Sequence, residues 1–96
     1  MANDSSMKSI QGVESYAKKL KERSRDIRLI FRELKKQTDY VSQNWSDKQF
    51  VQFRYTFNES MTKQIEGICR TLENLSEYTQ KQCYIHRQAQ QEKLHI

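Results

Sequence analysis

Two long stretches without a single proline flank Trp45, close to the middle of a 96-residue chain. From Ile10 onward, apolar or small residues recur three and four apart: Val13, Ala17, Leu20, Ser24, Ile27, Phe31, Leu34, Thr38 and Val41. That is the heptad seam of one helical face, with Ser24 and Thr38 as its weak points. Tyr16 and Ile30 widen the stripe on one flank. A second seam runs through Phe50, Phe53, Phe57, Met61, Ile65, Ile68, Leu72, Leu75 and Thr79. Its opening steps of three, four and four relax the heptad drift, which predicts a second helix that starts straighter than it ends. Beyond Thr79 glutamine takes over, and fraying is expected after about residue 88.

The hinge carries its own signals. Ser46 and Gln49 have capping-box spacing, in which each side chain satisfies an orphan backbone donor of the other. Asp47 suits the positive end of the second helix. Trp45 and Phe50 then occupy the positions of a hydrophobic staple. Helix 1 should end near Ser42 or Gln43, with Asn44 as the residue to adopt a left-handed conformation. A turn this short makes the helices antiparallel. The expected fold is all-α: one domain over 1–96, helix 1 about 7–43, turn 44–46, helix 2 about 46–88 and a frayed tail 89–96, behind a loosely ordered leader 1–7.

A two-helix hairpin has no enclosed centre, and only 35% of residues are apolar. Chains this small generally need a staple, a metal or a partner to bury enough surface. Cys69 and Cys83 lie fourteen residues apart, which is roughly 21 Å along one helix, and a disulfide needs Cα atoms within about 7 Å. Two partly buried, reduced thiols are expected. Those cysteines do not form a zinc spacing with His86 and His95, so no metal is assigned, and no cofactor or small molecule. The histidines lie where packing is weakest, and catalysis needs firmly held groups; an enzyme is not expected. A partner chain remains: a second copy or another helical hairpin, completing a four-helix bundle. Tyr16, Ile30, Val51 and Tyr55 are the candidates for that contact. Residues 1–6 lack the apolar core of a secretory leader, and no run approaches the roughly 18 apolar residues of a membrane span. A cytoplasmic product is expected, with any export by a route that reads no cleavable leader.

Bases crowd residues 18–36, which account for the positive balance of a chain with net charge +5. Lys21, Arg25, Arg28, Arg32 and Lys35 form a ridge beside the first seam. Such a ridge can meet phosphates, meet an acidic helix, or stay solvated. Nucleic acid ranks last of the specific partners, since no recognised module or run of exposed aromatics accompanies the charge.

With the hinge placed, the chain resembles the WXG family, small helical proteins handled by type VII secretion. The likeness spans about Ile10 to Thr79. Trp45 matches the family tryptophan, and Val41, Phe50, Phe53 and Phe57 resemble its apolar flanks. Trp45-Ser46-Asp47 stands where the family has Trp-x-Gly. The family's C-terminal export signal, a tyrosine followed four residues later by an acid, is not intact: Tyr78 meets Gln82 and Tyr84 meets Gln88. The resemblance implies an antiparallel hairpin, a homo- or heterodimer, no catalysis, and use as an exported factor or as the adaptor of a larger effector. It also implies a recognition role for the Trp45–Asp47 turn. A cytosolic coiled-coil adaptor with no export role is the alternative, and a basic nucleic-acid binder trails it.

Overall fold

A computed structural model describes residues 7–94; the expectations for leader residues 1–6 and for His95 lie outside them. The chain forms α1 (Ile10–Val41), α2 (Lys48–Thr56), a π-helical turn (Phe57–Met61) and α3 (Thr62–Leu94). α2, the π turn and α3 follow one another without a break and fold back along α1. The result is an antiparallel hairpin measuring 73 × 19 × 15 Å. Among the described residues no helix is long and apolar enough to cross a membrane.

Each helix start has a local cause. Ser9 caps α1, its Oγ accepting from the Gly12 N–H at 3.0 Å. At the second start the structure corrects the capping-box reading, because Asp47 and not Ser46 is the cap. Asp47 Oδ1 accepts from the N–H groups of Gln49 at 2.9 Å and Phe50 at 3.1 Å. One carboxylate thereby satisfies two orphan donors, and its charge meets the positive end of the helix dipole. The left-handed Asn44 is also corrected, since no described residue has positive φ. Instead α1 tightens out of its last turn. Ser42, Gln43 and Asn44 donate to the carbonyls of Asp39, Tyr40 and Val41, three residues back.

The shaft between α1 and α3 is built on small residues. Ala17 and Ser24 of α1, and Cys69, Ser76 and Cys83 of α3, are fully buried, and Ile10 nearly so. They repeat every seven residues along each helix, so each step down α1 meets a step up α3. Ser24 and Thr38 are therefore not weak points of the seam: both are buried. Small side chains set the contact distance, and short ones let the backbones close up. The approach is close enough for bonds from side chain to backbone. Ser76 Oγ donates to the Ala17 carbonyl at 2.7 Å and the Cys69 thiol to the Ser24 carbonyl at 3.5 Å. The Cys83 thiol faces the Ile10 carbonyl at 3.9 Å.

That line displaces the second seam read from apolar residues. Ile68 and Leu75 remain about half exposed, and Leu72 is partly covered. The irregular spacing from Phe50 to Met61 includes the π turn at Phe57–Met61. One wide turn absorbs the extra residue locally, which is how such insertions are commonly accommodated. The expected fraying after residue 88 is also revised, since α3 continues to Leu94.

Candidate functional site: the hairpin tip and the two faces

Trp45 follows the last tightened turn of α1, its N–H donating to the Val41 carbonyl at 2.9 Å. Its indole lies against Phe50, with ring centroids 5.2 Å apart, and against Phe53 at 5.9 Å. Phe53 stacks on Phe57 at 6.2 Å, and Phe57 on Phe31 of α1 at 5.7 Å. Phe50 is the anchor, 2% exposed, whereas Trp45 keeps 37% of its surface open. With Asp47 as the cap, Trp45 sits two residues before it and Phe50 three after, one place off the expected staple register. Ser46 is exposed and makes no side-chain hydrogen bond among the described residues. The Arg54–Asp39 ion pair, at 3.2 Å, ties α2 to the end of α1.

Along the shaft the two sides of the hairpin differ. One side carries the ion pairs that cross between the helices. Arg28 reaches across to Glu66, with Nη2 to Oε1 at 3.0 Å, and to Glu73. Ser24 Oγ donates to Glu73 Oε2 at 2.7 Å and accepts from Arg28 Nη1 at 3.1 Å. Nearer the open end Arg87 grips Glu14, Nε donating to Oε2 at 3.0 Å and Nη2 to Oε1 at 2.6 Å. The hydrogen bond from Arg28 holds the Glu66 and Glu73 carboxyls below their ordinary range, with the Ser24 bond adding to it at Glu73. The Arg87 bond does the same for Glu14. Burial, followed by the nearby Glu14 charge, raises the Cys83 thiol. Both cysteines are free and buried, and such thiols are unreactive.

Helical spacing of 100° per residue puts Val13, Leu20, Ile27 and Leu34 on the other side of the buried line from Arg28. Ile68, Leu72 and Leu75 flank the α3 line on that same side. This face is apolar and only half covered: Ile30 is 68% exposed, Ile68 50% and Leu75 48%.

The four residues picked for partner contact divide between the two sides. Tyr16 and Ile30 belong to the apolar side. Val51 and Tyr55 flank Arg54, whose partner Asp39 continues the seven-residue line Lys18–Arg25–Arg32 on the charged side. All four are exposed, yet one flat contact cannot use them together. The basic ridge is also revised. Arg28 is committed to Glu66 and Glu73, while Lys21, Arg25, Arg32 and Lys35 form no ion pair among the described residues. Lys35 Nζ stands 5.8 Å from the Phe31 ring centre. No group of three or more His, Cys, Asp or Glu side chains among the described residues could hold a metal ion.

The described residues thus form a helical hairpin with an aromatic cluster at its tip and a half-exposed apolar face along its shaft. The family model for WXG100, described as proteins of 100 residues with WXG, matches residues 7–82, and the chain belongs to that family of small helical proteins linked to type VII secretion. No curated protein and no solved structure matches it. The match includes Trp45 and runs through Tyr78 to Gln82.

Proposed function

We propose that this hairpin is a type VII secretion-associated factor that acts by pairing its apolar face with another helical hairpin, either as a small secreted factor or as the adaptor of a larger effector. The reading assigns it no catalysis and no cofactor. The observation that carries it is the face formed by Leu20, Ile27, Ile30, Leu34, Ile68, Leu72 and Leu75. The small-residue shaft leaves these side chains flanking the contact instead of inside it. Apolar stripes of this length are seldom left to water, and four helices crossing at about 20° bury such faces.

The partner is a second copy or another hairpin, and the Trp45–Asp47 tip is the recognition element. The second reading, a cytosolic adaptor with no export role, is favoured by the missing acid four residues after Tyr78 and after Tyr84.

Light scattering after size exclusion, at high micromolar concentration, with and without a co-expressed neighbouring hairpin, tests the pairing. A two-chain particle is expected, reverting to one chain when Ile68 and Leu72 are both changed to Glu. A monomer in every mixture, or a dimer indifferent to that double change, sinks the proposal. Appearance of the chain in the medium only when the secretion ATPase is intact separates the exported factor from the cytosolic adaptor.

A further inference from the structure

The charged side of the shaft has a pattern that the pairing reading leaves unused. Lys18, Lys21, Arg25, Arg28, Arg32 and Lys35 follow one another in steps of three and four, as two rows spaced by sevens. They wall a string of shallow depressions along the α1–α3 seam. Lys18 borders one with Gln80 and Tyr84; Lys18, Lys21 and Arg25 border the next; Arg28, Arg32 and Lys35 border a third with Thr62 and Glu66. From Lys18 to Lys35 this basic wall runs roughly 26 Å, straight along the helix.

The hairpin's own carboxylates neutralise it only at Arg28. Glu66 and Glu73 are engaged by Arg28, and Glu14 by Arg87. Asp26 and Glu33 pair elsewhere with Arg23 and Lys36, and Asp39, which ends the Lys18–Arg25–Arg32 row, is taken by Arg54. Glu22 borders the middle depression without forming an ion pair. The carboxylates that repeat by sevens, Asp26–Glu33 and Glu59–Glu66–Glu73, are all ion-paired within the hairpin except Glu59, and Asp47, Glu77 and Glu92 belong to no such row. A second copy carries the same basic rows, and its acidic repeats are already spent on its own Arg23, Arg28 and Lys36, so it offers no free acidic row to this side.

We propose that the Lys18–Lys35 side of the shaft is a docking surface for an acidic helix of a partner protein, one whose carboxylates repeat every seven residues. A heptad row of charge on one helix is matched by a heptad row of opposite charge on a neighbour lying alongside, as in the flanking positions of coiled coils. Phosphates on a duplex instead follow a wound path at about one charge per 1.7 Å of axis, a spacing that straight rows of sevens do not track. This surface lies across the buried line from the apolar face, so the proposal stands independently of hairpin pairing.

The test uses a labelled synthetic peptide of about four heptads, long enough to be helical in water, with Glu on both flanks of its apolar seam. Its comparators are a scrambled peptide of identical composition, a Lys-for-Glu version, and single-stranded and duplex DNA. Fluorescence anisotropy is read at about 50 and 200 mM salt, a range over which phosphate contacts lose orders of magnitude. The registered Glu peptide is expected to bind about tenfold tighter than the scrambled one and to weaken with salt. R25E/R32E, at exposed positions outside every ion pair, should weaken it by a further factor of about ten and gain affinity for the Lys peptide. Circular dichroism verifies that the variant keeps its helicity. The double change of Ile68 and Leu72 to Glu should leave this binding unaltered. Equal affinity for registered and scrambled peptides overturns the proposal, as does R25E/R32E binding like the native chain. DNA held more tightly than either peptide at the higher salt reassigns the surface to nucleic acid.

Discussion

Between Ile10 and Ser24 the helices meet through side chains no larger than Ile, with Ala17, Ser24, Cys69, Ser76 and Cys83 admitting no solvent. At the other end five aromatic rings, Phe31, Trp45, Phe50, Phe53 and Phe57, stack in a chain of contacts from 5.2 to 6.4 Å. The shaft gains its hold from closeness. Its backbones approach until hydroxyls and thiols reach carbonyls across the interface, and its large apolar residues are displaced to one side. The tip gains its hold from bulk, burying one ring fully and leaving the rest part-open. The π turn of Phe57–Met61 lies between the two regimes. One extra residue there lets a helix that presents small residues in α3 present rings in α2. A single hairpin thus has a tip closed by its own rings and a shaft whose large apolar residues stay half exposed.

The largest effect should come from the tip. Phe50→Ala empties the one fully buried ring site, and such deletions cost about 3 to 5 kcal/mol. Thermal or urea melts followed by Trp45 fluorescence report it directly. A loss below about 1 kcal/mol would mean that the rings merely cover one another and that the tip has no core of its own.

The shaft should fail in the opposite sense, by overfilling. Ser76→Leu adds bulk where Ser76 Oγ lies 2.7 Å from the Ala17 carbonyl and removes that bond. Overpacking of this kind costs about 1 to 3 kcal/mol. The thiols supply the readout, since Cys69 and Cys83 are both fully buried and should label faster in the variant while the Trp45 emission maximum holds. If Leu at this position stabilises the hairpin, the close-approach account of the shaft is wrong.

Much of this was legible in the residues. Heptad spacing on both sides of Trp45 and the absence of proline are enough for an antiparallel hairpin, and the Trp-centred turn pointed to the family. Of the shaft's contact line the α1 half, Ile10, Ala17 and Ser24, was in the first seam, but the α3 half was not read, because a pattern of large apolar residues passes over Cys69, Ser76 and Cys83. Their seven-residue spacing, in register with Ala17 and Ser24, was the available signal. Two good capping residues, Ser46 and Asp47, stand side by side, and sequence alone does not rank them. The carboxylate wins by accepting from two N–H groups. Tyr16, Ile30, Val51 and Tyr55 were grouped by exposure and character. Separating them needs the angular position of α2, which follows only once the cap and the π turn are placed. The basic ridge was read from its spacing alone; that Arg28 serves the hairpin itself depends on Glu66 and Glu73 arriving from a distant part of the chain.

Acid provides the finest division between the two regions. The depressed carboxyls Glu14, Glu66 and Glu73 all belong to the shaft. Because their folded pKa values lie below the ordinary value of 4.5, the unfolded chain takes up protons first as pH falls. Their contribution is therefore complete above the ordinary carboxylate range and is lost as pH drops through the lower folded values. The pairs are partly open to water, so the effect is small beside the two substitutions. Its location is the test. Between neutral pH and pH about 3, Cys69 and Cys83 should become more accessible to 4,4′-dithiodipyridine, a thiol reagent that works in acid, before Trp45 fluorescence changes. Adding Glu66→Gln and Glu73→Gln should lower stability at neutral pH and flatten most of this dependence, leaving the part due to Glu14. Simultaneous loss of both probes in the native chain would show tip and shaft to be one cooperative unit, and the distinction between them would then describe packing and not stability.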